Sequence, residues 1–254
     1  PYTRALIEAN PSLDDTAPPL DQPGDALLSV TGVTKRFGRA TALHDASIDV
    51  RAGEIVAIVG ESGSGKSTLA RCIAGLEHPD AGSVTLDGLT LPPGRRGRSP
   101  QQMQIVFQDP YSTLNPVFTV GQALTEALAA SGRSADEVPE LLRLVDLDPS
   151  FATLRPSQLS GGQRQRVAIA RALAPQPRVL ICDESVSALD VSVQAQVLKL
   201  LARLRDELGL AMLFITHDLA VVARIANRMV VLRGGEIVER GTTEQVMRDP
   251  AHPY

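Results

Sequence analysis

Short runs of aliphatic and β-branched residues punctuate this chain, and several of the stretches between them place apolar residues every three or four positions. The runs "LLSVTGV", "ASIDV" and "EIVAIVG" predict three strands, "KSTLARCIAGL" from Lys66 predicts a helix, and "GSVTLDG" and "MQIVFQD" predict two more strands. "TVGQALTEALAAS" and "ADEVPELLRLVDL" then read as two amphipathic helices with no strand between them, a helical insertion from roughly Pro110 to Gln158. The alternation resumes with a helix from Ser160, the strand "RVLICDE", the helix "VSVQAQVLKLLARLRDEL" and the strand "AMLFITHD". A short helix follows, then "RMVVLRGGEIVERG", a hairpin turning at Gly234 and Gly235. Strands that alternate with crossover helices imply a largely parallel sheet.

Composition adds limits to this α/β pattern. With 43% apolar residues among 254, the chain can bury a substantial core as one large domain or two modest ones. A net charge of -4 and a pI near 5.6 argue against a partner such as nucleic acid, which is held through a basic face. "PPGRRGRSPQQ", Pro92 to Gln102, reads as a solvated loop. Cys72 and Cys182 both lie in apolar runs, which speaks against a disulfide framework or a zinc site and fits a reducing compartment. No run approaches the roughly 18 to 20 apolar residues that cross a bilayer, so any work at a membrane needs another chain to span it. "NPSLDDTAPPLDQPGD", Asn10 to Asp25, reads as an extended linker, which makes residues 1–25 a tail and linker and 26–254 the folded domain.

The candidate chemistry begins where Gly60, Gly65, Lys66 and Ser67 fit G-x-x-x-x-G-K-[ST] between an apolar strand and a helix. Glycines at 60, 63 and 65 let successive N–H groups turn inward toward phosphate oxygens, and the helix from Lys66 adds its positive end. Lys66 reaches the β- and γ-phosphates, and Ser67 can ligate Mg²⁺. Asp183 and Glu184 end a buried strand, where two acids are costly unless a cation meets them. In isolation such a pair is a helix cap or an ion-pair site. Beside a phosphate loop, Asp183 would hold the metal and Glu184, on the other side of the pleat, would polarise the attacking water.

Gln108 offers an amide oxygen to metal or water at the boundary of the insertion, unless it is simply a surface residue. His217 could donate to the γ-phosphate or could cap the helix after it. Phe37 could stack on a purine or belong to the core. "LSGGQ", Leu159 to Gln163, supplies a second helix start with a serine and two glycines, again suited to an anion.

In order, Phe37, "GESGSGKST", Gln108, "LSGGQ", "LICDE", "SALD" and His217 resemble the nucleotide-binding subunit of an ATP-binding cassette (ABC) transporter, from Ala26 to the carboxyl end. "VFQDPYSTLNP" and "CDESVSALDVSVQAQVL" resemble the ATPase subunits of oligopeptide, dipeptide and nickel importers, with Ser185 where many members have proline. This resemblance implies a P-loop NTPase (RecA-like) α/β core with an antiparallel β subdomain and a helical insertion. It implies an ATPase that uses ATP and Mg²⁺, with nucleotide contacts from Phe37, Gly60, Ser62, Gly63, Gly65, Lys66, Ser67 and Thr68. Metal contacts would come from Ser67, Gln108 and Asp183, and catalytic roles would fall to Glu184, His217 and Gln108.

Two cassettes of the family pack head to tail, so that Ser160, Gly161 and Gly162 of one meet the γ-phosphate on the other's loop. The paired glycines would keep that approach free of side chains, Gln163 would position the signature loop, and Asp190 would couple the two sites. The implied partners are a second cassette, the same or homologous, together with transmembrane permease subunits meeting residues around Asp109 to Pro116 and an extracytoplasmic solute-binding protein. The implied place is the cytoplasmic face of the inner membrane, and the implied task is uptake of peptides or similar small solutes. A soluble ABC ATPase that remodels nucleic acid or ribosomes is the alternative, but the coiled coils, zinc modules or basic arms usual in such proteins are not in this sequence. The ends "PYTRAL" and "DPAHPY" suggest a polypeptide with two cassettes in series, of which this chain is the second; a boundary shared for another reason would give the same pair of ends.

Overall fold

The computed structural model describes residues 25–109 and 113–254; the proposed linker as far as Gly24, and residues 110–112 within the expected permease-contacting stretch, lie outside the described residues. β1 (Ala26–Phe37), β2 (Ala40–Arg51), β4 (Ala81–Leu86) and β5 (Leu89–Leu91) form a four-stranded antiparallel sheet in the order β2-β1-β4-β5. A second sheet runs β10-β9-β3-β8-β7-β6, from β3 (Ile55–Val59), β6 (Met103–Val106), β7 (Val179–Asp183), β8 (Ala211–Ile215), β9 (Arg228–Arg233) and β10 (Glu236–Thr242). Its pairs are parallel except β9 with β10, which closes as a hairpin through Gly234 (φ 56°) and Gly235 (φ 87°).

Continuous apolar runs suit β3, β7 and β8 because both faces of these strands are covered. Alternate residues divide between two cores. Val56, Ile58, Ile181, Leu213 and Ile215 face the antiparallel sheet and α1 (Lys66–Ile73), whose Leu69, Ala70, Cys72 and Ile73 fill the space between the sheets. Ala57, Leu180, Cys182, Met212 and Phe214 face the larger core with the remaining helices. Those are α2 (Val120–Ala129), α3 (Val138–Leu144), α4 (Gly161–Leu173), α5 (Val191–Leu208), α6 (Leu219–Ile225) and α7 (Thr243–Arg248). Between β6 and β7 the described chain carries α2, α3, α4 and short 3-10 turns. Both cysteines are unpaired and buried, and burial pushes their thiols up to about 11 for Cys72 and about 12 for Cys182. No helix among the described residues is long and apolar enough to cross a membrane.

Candidate active site at the carboxyl edge of the parallel sheet

Strand order explains why residues far apart in sequence converge. β3, β8, β7 and β6 are neighbours, with Ile58 opposite Ile215, Asp183 opposite Ile215, and Val106 opposite Cys182. Their carboxyl ends therefore bring the loop after Val59, His217, the acid pair and Gln108 to one edge, where open parallel sheets bind ligands.

The phosphate loop is held in shape by the β9-β10 turn behind it. Gly235 N–H donates to Ser64 O at 2.9 Å, and the backbone of Leu232 lies so close to Gly60 that a Cβ at 60 would sit 2.1 Å from the Leu232 oxygen. Gly65, at φ 108°, heads α1 and would place a Cβ 2.5 Å from Ala42 O. Both glycines are thus required by close approach as well as by positive φ. Ser62 and Gly63 are exposed, whereas Ser67 and Thr68 are half-buried in the first turn of α1. Lys66 is only 5% exposed, and its ammonium donates to Gly60 O at 2.7 Å and Glu61 O at 2.8 Å. Burial pulls its pKa down, with Glu184 and Asp183 acting in the opposite direction. The cation rests on loop carbonyls, so an incoming phosphate meets a buried charge already aimed at the loop.

Asp183 is buried and accepts a hydrogen bond from Ser67 Oγ at 3.0 Å. Burial raises its pKa; the Ser67 bond opposes that shift. A desolvated carboxylate paired with a hydroxyl, beside a cradle aimed at anions, is an oxygen donor set suited to Mg²⁺.

Glu184 differs from the expectation of a simple pleat. It has left the strand with φ 48°, and its N–H donates to Ile215 O at 2.9 Å, so a left-handed turn separates the two carboxylates. Its Oε1 lies 3.5 Å from His217 Nδ1. His217 does not cap the following helix, because Asp218 does so by accepting from Ala220 N and Val221 N. Gln108 donates to Ser187 Oγ at 3.4 Å, which ties it to the turn after Glu184. Phe37 is 50% exposed with the Lys35 ammonium 5.1 Å from its ring centre, which removes the core-aromatic alternative.

The second helix start is organised differently. Ser160 caps α4 in a reciprocal box: Gln163 N donates to Ser160 Oγ, and Ser160 N donates to Gln163 Oε1. Gly161 has room for a side chain, its nearest neighbour being Leu189 at 3.6 Å from a built Cβ. Gly162 does not, since a Cβ there would lie 2.3 Å from Val193 Cγ1 on α5. Packing against α5 thus demands glycine at 162, where sequence reasoning had invoked only the approach of an anion. Asp190, assigned a coupling role from sequence, is the cap of α5 and accepts from Val193 N at 3.0 Å.

Two contacts were missed in the sequence. Tyr254 Oη accepts from Glu61 N at 3.2 Å, with Arg233 stacked 4.7 Å from its ring centre. Arg164 lies buried behind Ser160, and the only hint was an arginine on the apolar side of an amphipathic helix.

A family model described as ABC transporter matches residues 43–187. A probable peptide ABC transporter ATP-binding protein of Sinorhizobium fredii is 46% identical over 249 residues, which cover 91% of this chain and 70% of that protein. A putative peptide import ATP-binding protein of Brucella abortus is 47% identical over 84% of this chain and 66% of its own length. The glutathione import ATP-binding protein GsiA of Escherichia coli is 40% identical over the whole of this chain and 48% of its own length. The chain thus spans about half to 70% of these relatives. Among solved structures, a bacterial ABC transporter cassette determined as a dimer superposes with a TM-score of 0.75 at 32% identity, over 85% of this chain and 98% of that one. A cassette of Clostridium perfringens, part of an ABC transporter complex, gives 0.80 at 28% identity over 89% and 92%.

Proposed function

We propose, from the premise that this chain belongs to the ABC transporter family as one of its ATP-binding cassettes, that it binds and hydrolyses ATP between two such cassettes and drives uptake of peptides or similar small solutes. The observation that carries this reading is the pair of separate anion-directed helix starts. The Lys66 start is backed by the β9-β10 turn and flanked by Asp183, whereas the Ser160 start is closed on Gln163 of its own helix, held by Arg164 to the loop before it and packed through Gly162 on α5. One chain with two half-sites is completed by a second copy or homologue supplying the opposite half.

Within this reading the Gly60–Ser67 loop orients the triphosphate and Lys66 exchanges its loop carbonyls for phosphate oxygens. Mg²⁺ held by Ser67, Asp183 and Gln108 would offset phosphate charge when bound. Glu184 accepts a hydrogen bond from the attacking water, and His217 beside it steadies the carboxylate and faces the γ-phosphate. Ser160, Gly161 and the first turn of α4 from the partner close on the same phosphate and exclude water. Loss of phosphate after cleavage weakens the contact, and the helical insertion that carries α2 and α3 passes the opening to permease subunits in the membrane. The names of the relatives support import. An extracytoplasmic solute-binding protein would deliver the cargo, and the cassette would lie on the cytoplasmic face of the membrane.

Glu184→Gln tests the assignment in the full-length chain. ATP affinity and ATP-dependent pairing are expected to persist while turnover falls about 10²- to 10⁴-fold, the range for loss of a positioned general base. Steady-state hydrolysis near the parent rate would remove Glu184 from this role.

A further inference from the structure

Arg164 lies buried in the turn of α4 that follows Gly161 and Gly162, and its Nη1 donates backward to the carbonyl oxygens of Pro156 (3.2 Å) and Leu159. Helical side chains lean toward the amino end of their helix. The two residues that would otherwise cover this first turn are glycines, so the guanidinium reaches past them to the preceding loop. That loop ends on Ser160, whose hydroxyl and N–H are closed in the box with Gln163 and whose carbonyl accepts from Arg164 N at 2.9 Å. The Ser160 carbonyl bond is the ordinary first bond of the helix, and it is the Arg164 side chain that holds the 156–159 segment from behind.

The charge is informative as well. A cation near the amino end of a helix opposes the helix dipole, a cost that the bonds from Arg164 to the Pro156 and Leu159 carbonyls offset. The same guanidinium places a positive group behind a helix end whose first-turn N–H groups already favour an anion.

We propose that Arg164 is the positioning residue of the anion-binding cap, fixing the 156–160 segment and adding positive charge behind the Ser160 helix start. This rests on the reading that the cap closes on a nucleotide held by a second cassette. Arg164 acts through Leu159 and Ser160 and does not itself touch the nucleotide.

The test follows ATP-dependent pairing of the full-length chain by analytical ultracentrifugation in a Glu184→Gln background, with ADP affinity measured by calorimetry. ADP reports the phosphate loop of the chain's own cassette, whereas pairing also requires the cap. Arg164→Met is expected to leave ADP affinity within about twofold and to raise the ATP concentration for half-maximal pairing about tenfold, the scale of one lost charge-assisted hydrogen bond. Arg164→Lys keeps the charge and should recover part of that shift. With Glu184 intact, KM for ATP should rise by a larger factor than kcat falls.

Unchanged ATP dependence of pairing in a folded Arg164→Met chain overturns the proposal, as does an equal loss of ADP affinity and pairing. If the Met variant does not fold, Arg164→Lys decides by itself: a shift in pairing with ADP affinity intact supports the proposal, and parent-like pairing defeats it. Ser160→Arg separates the two levels, because it should abolish pairing whatever Arg164 does. A parent chain that does not pair with ATP, or that pairs equally well with Ser160→Arg, overturns the underlying reading and this proposal with it.

Discussion

Asp183 is a carboxylate held where its charged form is disfavoured, since burial raises its pKa above the ordinary aspartate value and the Ser67 hydroxyl offsets only part of the effect. For an acid whose folded pKa lies above its unfolded one, the cost to stability is absent below the unfolded pKa and complete above the folded one. Asp183→Asn keeps an oxygen for Ser67 and removes the charge. The nucleotide-free variant should therefore melt at a higher temperature than the parent at pH 7, and the difference should shrink toward zero below about pH 4. Mg²⁺-dependent hydrolysis should be lost in the same variant. Thermal melts at the two pH values check the first part, and a lower melting temperature at pH 7 would contradict it. The residue types at this edge were legible because the G-x-x-x-x-G-K-[ST] spacing has few other uses, and beside it a strand ending in two acids, otherwise a cap or an ion-pair site, reads as metal-directed. The orientation of Glu184 was not legible, because its φ of 48° is stabilised by the carbonyl of Ile215 on a neighbouring strand, a partner that sequence alone does not assign.

Helix α4 illustrates how an element can satisfy two demands with one residue. Gly162 lies where α4 crosses α5, and a methyl group would overlap Val193. Gly162→Ala should therefore destabilise the fold by about 1–3 kcal/mol, the usual cost of overpacking. Val193→Ala should restore most of that loss in the double variant. Denaturant unfolding of the four members of the cycle measures the coupling, and additive losses would mean that helix crossing does not fix this glycine. The crossing was invisible in sequence because the contact joins residues on either side of β7, whereas α5 itself was legible from end to end: Asp190 caps it, Gly209 ends it in a left-handed turn, and its apolar positions follow a helical period. β5 and α7 escaped notice since a three-residue strand and a six-residue helix carry too few positions to establish a period.

At the scale of the molecule, two sheets must keep one orientation so that the phosphate loop, packed on the β9-β10 turn and against Ala42 of β2, keeps its shape. The fastening lies at the other end of the strands. Arg228 on β9 donates to Asp49 of β2 at 3.0 Å and to Glu54, which is fully buried just ahead of β3, at 3.2 Å. The Arg228 bond holds the Asp49 carboxyl below the usual aspartate range, so its stabilising contribution is present above the unfolded pKa and is lost as pH falls through the folded one. Arg228→Met leaves Glu54 in the core without its principal cation. It should cost about 3 kcal/mol, the lower end for a broken buried pair because Arg51 N still donates to Glu54. Replacing both partners, Arg228→Met with Glu54→Gln, should return part of that loss, and the single variant should lose the share of acid sensitivity that comes from Asp49. Because the cluster and the phosphate loop occupy opposite ends of β3, ADP affinity of the folded variant should match the parent. A joint fall in stability and ADP affinity would instead mean that the angle between the sheets, and not the local backing by Leu232 and Gly235, sets the geometry of the loop.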